Sequence, residues 1–323
     1  MRFRTFARTG WAISEIGYGM WGMGGWTGSD DEASARALDR AVDLGCNFFD
    51  TAWAYGEGRS ERLLGELLRR HPGRTLYVAM KVPPANRQWP GRASTPADDV
   101  FPYEHIVRYT TASLRNLGAS AIDLQQLHVW DDSWTVADGW KEAVQELKRQ
   151  GLIRAFGISV NRWEPTNVLR AIDTGLVDVV QVVYNIFDQA PEDTLFPACA
   201  RLGVAVIARV PFDEGSLTGT LTAGARWPDG DWRNTYFAGE HLTETLRRVE
   251  PLRALADRSG LSLSALALRF ILTNPVVTTT IPGMRQRGRV EQNLECSDSG
   301  PLDEETIRAL RAHRWDRIPD DRP

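Results

Sequence analysis

Amphipathic stretches that stop at a glycine and give way to a short apolar run recur along the chain. The pattern stands at SDDEASARALDRAVDLG before CNFFD, at the segment ending NLG before AIDLQQLH, and at ADGWKEAVQELKRQG before LIRAFGIS. It returns at VLRAIDTG before LVDVVQVVY and at FPACARLG before VAVIARV. A helix closed by glycine and followed by a buried strand is the repeating unit of a parallel sheet. Gly45, Gly118, Gly151, Gly175 and Gly203 therefore mark five helix ends. IGYGM near the start, LYVAMK, and VVTTTI before Pro282 complete eight candidate strands. Eight strands alternating with helices over about 250 core residues predict an α/β fold, a closed (β/α)8 TIM barrel, with residues 1–323 as a single domain.

Local signals refine this outline. Ser29 and Glu32 stand at capping-box spacing, and Ala37, Leu38, Ala41 and Val42 follow at helical spacing. A second helix is expected to begin near Ser60 and to bury Leu63, Leu64, Leu67 and Leu68. The segment RFRTFARTGWAISEI reads as an N-terminal β-hairpin that plugs the bottom of the barrel, and the tail from Pro301 reads as one extra helix. Residues 82–102, rich in Pro and Trp, and residues 211–240, rich in Gly, are long βα loops. Such loops lie on the C-terminal face, where these barrels keep their active sites.

Composition narrows the class. With 42% hydrophobic and 25% charged residues the 323-residue chain has the balance of a soluble globular protein. A net charge of -4 argues against general binding to nucleic acid or to an anionic membrane, both of which need a basic face. No run approaches the ~18 apolar residues of a membrane span, and the N-terminus lacks the apolar stretch of a signal peptide. A cytoplasmic location is the expectation. Cys46, Cys199 and Cys296 are widely spaced and form no metal-ligand pattern, so they are read as reduced thiols, with Cys46 buried. His71, His105, His241 and His313 have no partner at metal spacing and receive no role; no metal site is expected.

The polar residues that end or follow these apolar runs carry the chemistry. Asp50, Lys81 and His128 close three candidate strands, so in a barrel they meet at one mouth, and Tyr55 follows Asp50 by five residues. This group suits carbonyl reduction. A phenol has a pKa of ~10 and is a poor acid at neutral pH; a nearby ammonium, here Lys81, is expected to pull that value down. Asp50 would anchor Lys81, and His128 would hydrogen-bond the carbonyl and hold Tyr55 in line. No GxGxxG follows a strand, so a Rossmann nucleotide site is unsupported.

At these residues the chain resembles the aldo-keto reductase family. The resemblance runs the full length, through GYGMWGMGG, DTAWAYGEGRSE, MK, LH, GIS, QVVYN, VPFDEGSLTG and IPGMRQRGRVEQNLE. It implies Asp50, Tyr55, Lys81 and His128 as the catalytic tetrad and NADPH/NADP+ as cofactor. Ser159 and Gln181 match residues that bind the nicotinamide carboxamide, with Gly19, Met20 and Asp50 beside them. The stretch Arg209, Val210, Pro211, Phe212, Gly215 and Leu217 matches the segment running along the nicotinamide and pyrophosphate. Gly283, Arg285, Arg289, Gln292 and Asn293 match the adenosine end, where a forked, permanently charged Arg suits the 2′-phosphate of NADPH.

Two positions depart from the family pattern. Arg209 stands where many members stack an aromatic ring on the nicotinamide; its charge should disfavour the oxidised, cationic ring. The usual Ser-Asn pair is Ser159-Val160, with Asn161 displaced by one, which alters carboxamide recognition. Trp21, Trp53, Trp89 and Trp130 fall at the expected mouth and would line a pocket for an aryl carbonyl compound or a sugar ring. Two alternatives stay open: NAD(P)+-dependent oxidation of a sugar or polyol, and a nucleotide-sensing subunit with little turnover, similar to channel-associated members of the fold.

Overall fold

The computed structural model describes residues 1–26 and 28–317. The chain opens with an antiparallel hairpin, β1 (Phe3–Thr5) and β2 (Ala12–Ser14). Then β3 (Tyr18–Gly19), β4 (Phe48–Asp50), β5 (Tyr77–Val82), β6 (Ile122–Leu127), β7 (Ile153–Ser159), β8 (Val179–Val183), β9 (Ala205–Arg209) and β10 (Val277–Thr280) pair in parallel and in sequence order. Parallel bridges from Ile16 to Thr280 and from Gly19 to Gly283 bring the two edges together, so the sheet is a nearly closed barrel. All eight expected strands are in it, and the hairpin is where the sequence places it.

Helices cover the outside. They are α1 (Asp31–Asp43), α2 (Arg59–Arg70), α3 (Ala97–Val100), α4 (Tyr103–Leu117), α5 (Gly139–Arg149), α6 (Leu169–Asp173), α7 (Leu195–Leu202), α8 (Trp232–Tyr236), α9 (His241–Arg258), α10 (Leu263–Thr273), α11 (Arg287–Glu295) and α12 (Glu304–Arg311). The five glycines read as helix stops all have positive φ, the conformation that ends a helix at least cost in a residue without Cβ. Two local expectations need correction. Asp30, not Ser29, caps α1: its Oδ1 accepts from Ala33 N at 3.0 Å, because Ser29 sits one residue too early for its oxygen to reach the first free amides. In α2, Leu63, Leu64 and Leu67 are buried as expected but Leu68 is only half-buried. It lies at the margin of the stripe that faces the barrel.

The barrel interior has an apolar floor. Phe48, Ala79, Leu124, Ala155, Val179, Ala205, Ile207 and Ile281 form one cluster with Phe6 and Ile13 of the hairpin. The three alanines leave room that strand side chains do not fill, and the hairpin fills it from below. Burying Phe6 and Ile13 contributes roughly 1.5–3 kcal/mol each, so the hairpin is part of the core. Cys46, Cys199 and Cys296 are free and buried. His105 is buried too, with Nε2 2.7 Å from the carbonyl of Pro83, a structural anchor for the start of the 82–102 loop. Among the described residues no helix is long and apolar enough to cross a membrane.

One buried group is at odds with its layer. Gln125 alternates with the interior residues Leu124 and Gln126, so it faces the helices; it is 1% exposed, and neither its Nε2 nor its Oε1 has a partner in the protein. A buried amide left unpaired costs on the order of 1–3 kcal/mol. Gln125→Leu is therefore expected to stabilise the fold by roughly 1–2 kcal/mol, read as a higher urea midpoint with unchanged slope; a lower midpoint would mean the amide is paired after all.

Candidate active site

Alternation along the strands builds the site on top of the apolar floor. Asp50, Lys81, Gln126 and Gln181 each stand two residues after an interior floor residue, namely Phe48, Ala79, Leu124 and Val179. They share its face of the strand. The floor thus ends in a polar layer at the C-terminal mouth.

In that layer Lys81 Nζ donates to Asp50 Oδ1 at 2.5 Å, to the Thr51 carbonyl at 2.9 Å and to the Tyr55 hydroxyl at 3.5 Å. Lys81 is 1% exposed and Asp50 2%. The other carboxylate oxygen, Asp50 Oδ2, accepts from Gln181 Nε2 at 2.7 Å and Gln126 Nε2 at 3.3 Å. Tyr55 is delivered by the loop between β4 and α2. The next residue, Gly56, has φ +68°, and a Cβ there would stand 2.0 Å from the Gly24 carbonyl oxygen. Only glycine lets this loop lie against the one after β3, which fixes where Tyr55 points. His128 follows β6, its ring edge-to-face with Tyr55 at 5.7 Å and with Trp89 at 5.8 Å between centroids. The four residues expected to meet do meet.

Electrostatics corrects one expectation. Burial raises the Tyr55 pKa; Lys81 and Arg209 oppose that rise and Asp50 adds to it, and the net result lies above the ordinary phenol value. The ammonium is in place, but desolvation outweighs it. His128 is held well below the ordinary imidazole value by burial first, then by Lys81 and Arg209. It is neutral near pH 7. Arg209 is pulled down to about 10, mainly by burial and then by the neighbouring Arg162 guanidinium.

The cofactor candidates are distributed around this layer. Ser159 ends β7 and is buried. Gln181 faces Asp50 in this structure rather than outward into the mouth. Gly19 lies at the barrel seam, and the Met20 side chain is buried in the core, so the part of it that faces the site is backbone: its N–H donates to the Asp50 carbonyl at 2.9 Å. Arg209 Nη2 donates to the Val160 carbonyl at 2.9 Å. Asn161 is drawn aside, its Nδ2 bonding Gly91 O at 3.0 Å and Glu164 Oε2 at 2.7 Å. From Val210 to Gly215 the backbone is strained: Val210, Asp213 and Glu214 have φ of 55°, 44° and 55°. Each non-glycine residue so placed costs about 1–3 kcal/mol and persists only where its surroundings enforce it. Pro211 and Leu217 are buried, Phe212 and Gly215 half-buried. Beyond β10, Gly283, Arg289 and Gln292 are exposed, Arg285 is half-buried and Asn293 buried. Arg289 lies in the first turn of α11, where free amide groups add to its charge.

These groups fit a nicotinamide dinucleotide. Arg209 Nε is sealed from solvent without a protein partner, and the arginines at α11 suit a phosphate. The tryptophans divide. Trp89 (48% exposed) and Trp21 (46%) stand at the rim, and Trp53 packs edge-on against Tyr109 at 4.8 Å. Trp130 is 0% exposed, clasped by Trp134 and Trp140; it is a core residue with no face toward the mouth. Trp26, which the sequence reading passed over, stands edge-on to Tyr55 at 6.3 Å and donates Nε1 to the Trp21 carbonyl. Gln126, Arg162 and Arg317 were also passed over. Of these only Gln126 carried a signal, its period-two place on β6.

Because Lys81 and Asp50 are buried as a pair, Lys81→Met leaves an uncompensated carboxylate and is expected to cost about 3–5 kcal/mol of stability. The double variant Asp50→Asn/Lys81→Met should recover most of that loss in denaturant unfolding; strictly additive losses would show that the two groups do not act as a pair.

The model of the aldo/keto reductase family matches residues 15–314. The aldo-keto reductase YhdN of Bacillus subtilis is 30% identical over 299 residues, covering 90% of this chain and 87% of that protein. The NADH-specific methylglyoxal reductase of Escherichia coli is 28% identical, covering 87% and 89%. The holo form of an aldo-keto reductase from Bacillus halodurans superposes with a TM-score of 0.77 at 26% identity, covering 99% of both chains. A family model spanning nearly the whole chain, on a barrel of the same topology, establishes that this protein belongs to the aldo-keto reductase family of oxidoreductases.

Proposed function

We propose that the chain reduces small aldehydes or ketones to alcohols with NADPH, with Tyr55 as proton donor. The observation that carries this reading is the Tyr55 hydroxyl 3.5 Å from Lys81 Nζ, beside a neutral His128. A substrate carbonyl oxygen accepts hydrogen bonds from Tyr55 and His128. When bound, the nicotinamide supplies the hydride to the carbonyl carbon. The oxygen then takes the Tyr55 proton, and Lys81 and Arg209 stabilise the phenolate left behind. Overall, carbonyl, NADPH and a proton become alcohol and NADP+.

Tyr55 and Arg209 support the reductive direction. A raised pKa keeps Tyr55 protonated throughout the neutral range, the form a reductase needs. The guanidinium disfavours the cationic oxidised ring, which counts against polyol oxidation as the main activity. The choice of NADPH rests on Arg285 and Arg289; the Escherichia coli relative is NADH-specific by name, so phosphate selectivity is a property of individual members. Trp26 beside Tyr55, Trp89 beside His128 and Trp21 against Trp26 favour a flat or ring-bearing substrate.

Tyr55→Phe is expected to lower carbonyl reduction about 10²–10⁴-fold with NADPH affinity near that of the parent; unchanged turnover sinks the assignment. With the Tyr55 pKa above the ordinary ~10 and His128 titrating well below ~6.5, reduction should be flat from about pH 7 to 9, while alcohol oxidation, which needs the phenolate, rises through that range. A bell centred near neutrality would contradict this. Replacing Arg285 and Arg289 with Ala should remove charged hydrogen bonds of about 1.5–3 kcal/mol each, weakening NADPH tenfold or more by fluorescence titration (about 1.4 kcal/mol per tenfold) and leaving NADH nearly unchanged. Equal weakening would make the two arginines structural.

A further inference from the structure

After α12 the chain returns to the mouth and places Arg317 there, its side chain 2% exposed. Nη2 donates to Asp188 Oδ2 at 2.6 Å and to Asp213 Oδ1 at 3.0 Å, and Nη1 donates to the Tyr236 hydroxyl at 2.6 Å. The guanidinium carbon lies 5.0 Å and 4.8 Å from the ring centroids of Trp163 and Trp315. The Tyr236 hydroxyl in turn donates to Asp213 at 2.5 Å.

These partners border the strained turn after β9. Within it Asp213 closes a hydrogen-bonded turn, its N–H donating to the Val210 carbonyl at 3.1 Å. At its near end the Val210 carbonyl accepts from Asn185 Nδ2 at 3.1 Å, and the same amide donates to Asp188 at 2.9 Å. Both ends of the turn thus lead to one guanidinium. Under the tail, a cavity of about 30 Å³ is bordered by Asn161, Trp163 and Arg317. Each of these has a sealed polar atom without a protein partner: Asn161 Oδ1, Trp163 Nε1 and Arg317 Nε. Such a gap is polar and wide enough for a water. This seam can part by exchanging ion pairs for water, which the apolar barrel floor cannot.

We propose that Arg317 is a positioning residue for the loop Val210–Gly219, and that the segment Trp315–Arg317 is a clasp that sets how long a dinucleotide stays under that loop. The residence-time half rests on the cofactor reading above; the loop-holding half does not. Arginine is required because three acceptors must be met by one forked, permanently charged group, which a lysine ammonium reproduces only in part.

The test uses the full chain carrying Arg317→Met, Arg317→Lys or Tyr236→Phe. In the ligand-free protein, hydrogen exchange of residues 210–217 should be faster in Arg317→Met, partly restored in Arg317→Lys, and unchanged on β4 to β6. In stopped flow, NADPH should leave Arg317→Met on the order of tenfold faster, with the KM for the carbonyl substrate unmoved. Should Arg317→Met fail to fold, Tyr236→Phe must show the same changes at smaller size. Parent-like exchange at 210–217 together with parent-like NADPH release in folded variants overturns the proposal. If the parent protein binds neither NADPH nor NADH, the cofactor reading falls, and the exchange data alone decide whether Arg317 holds the loop.

Discussion

Two opposite charges buried at the top of an apolar barrel can be tolerated only if almost every lone pair and proton they carry finds a partner. Lys81 and Asp50 meet that condition, and the rest of the site is arranged around their needs. An ammonium has three protons to donate. One goes to Asp50 Oδ1 and one to the Thr51 carbonyl, and the third points at the Tyr55 hydroxyl. The carboxylate oxygen turned away from the lysine is met by two glutamine amides. The position of Tyr55 is therefore a consequence of hydrogen-bond accounting at Lys81 as much as of the loop that carries it.

The dry floor makes this pair effective. Phe48, Ala79, Leu124 and Val179 lie two residues before Asp50, Lys81, Gln126 and Gln181 on the same strand faces, and Phe6 and Ile13 seal the bottom. With water kept out below, the field of Lys81 reaches Tyr55 and His128 with little screening. The same dryness has an opposing effect, since it penalises phenolate and imidazolium alike. For Tyr55 the penalty exceeds the help from Lys81 and Arg209; for His128 burial and the neighbouring cations act in the same direction. The outcome is a protonated phenol beside a neutral imidazole.

What the sequence made legible was what depends on neighbours along the chain. Glycine stops, period-two strands and residues that end strands gave the barrel and the meeting of Asp50, Lys81 and His128, and the family resemblance sharpened the roles expected of them. The failures share a different cause. Whether Lys81 or burial dominates at Tyr55 depends on packing from several loops, so the sign of the shift could not be read from spacing. Trp130 sits just past β6 and Trp26 in the longer loop after β3; the path of each loop and the packing around it decide that one is clasped in the core and the other faces Tyr55. Ser29 and Asp30 are both competent caps, separated by a single residue of register. Arg317 reaches Asp213 across more than a hundred residues of chain, with no local pattern to announce it.

The site thus has halves of different mechanical character. The tetrad stands mainly on strands and on a loop whose glycine packs directly against its neighbour, so its geometry is set when the barrel closes. The segment after β9 is the opposite case, with Val210, Asp213 and Glu214 at positive φ and held by side chains from elsewhere, including the Arg162–Glu214 ion pair. Charges in this half are largely neutralised among themselves: Arg162 with Glu214, and Arg317 with Asp188 and Asp213. Arg209, by contrast, donates to the Val160 carbonyl rather than to a carboxylate. It stands close enough to Tyr55 and His128 to shift both. A buried, hydrogen-bonded layer on an apolar floor is thus faced by a strained loop that follows directly on Arg209. The barrel fixes the Tyr55 hydroxyl beside Lys81, whereas the loop after β9 keeps its strained form only through side chains brought from elsewhere in the chain.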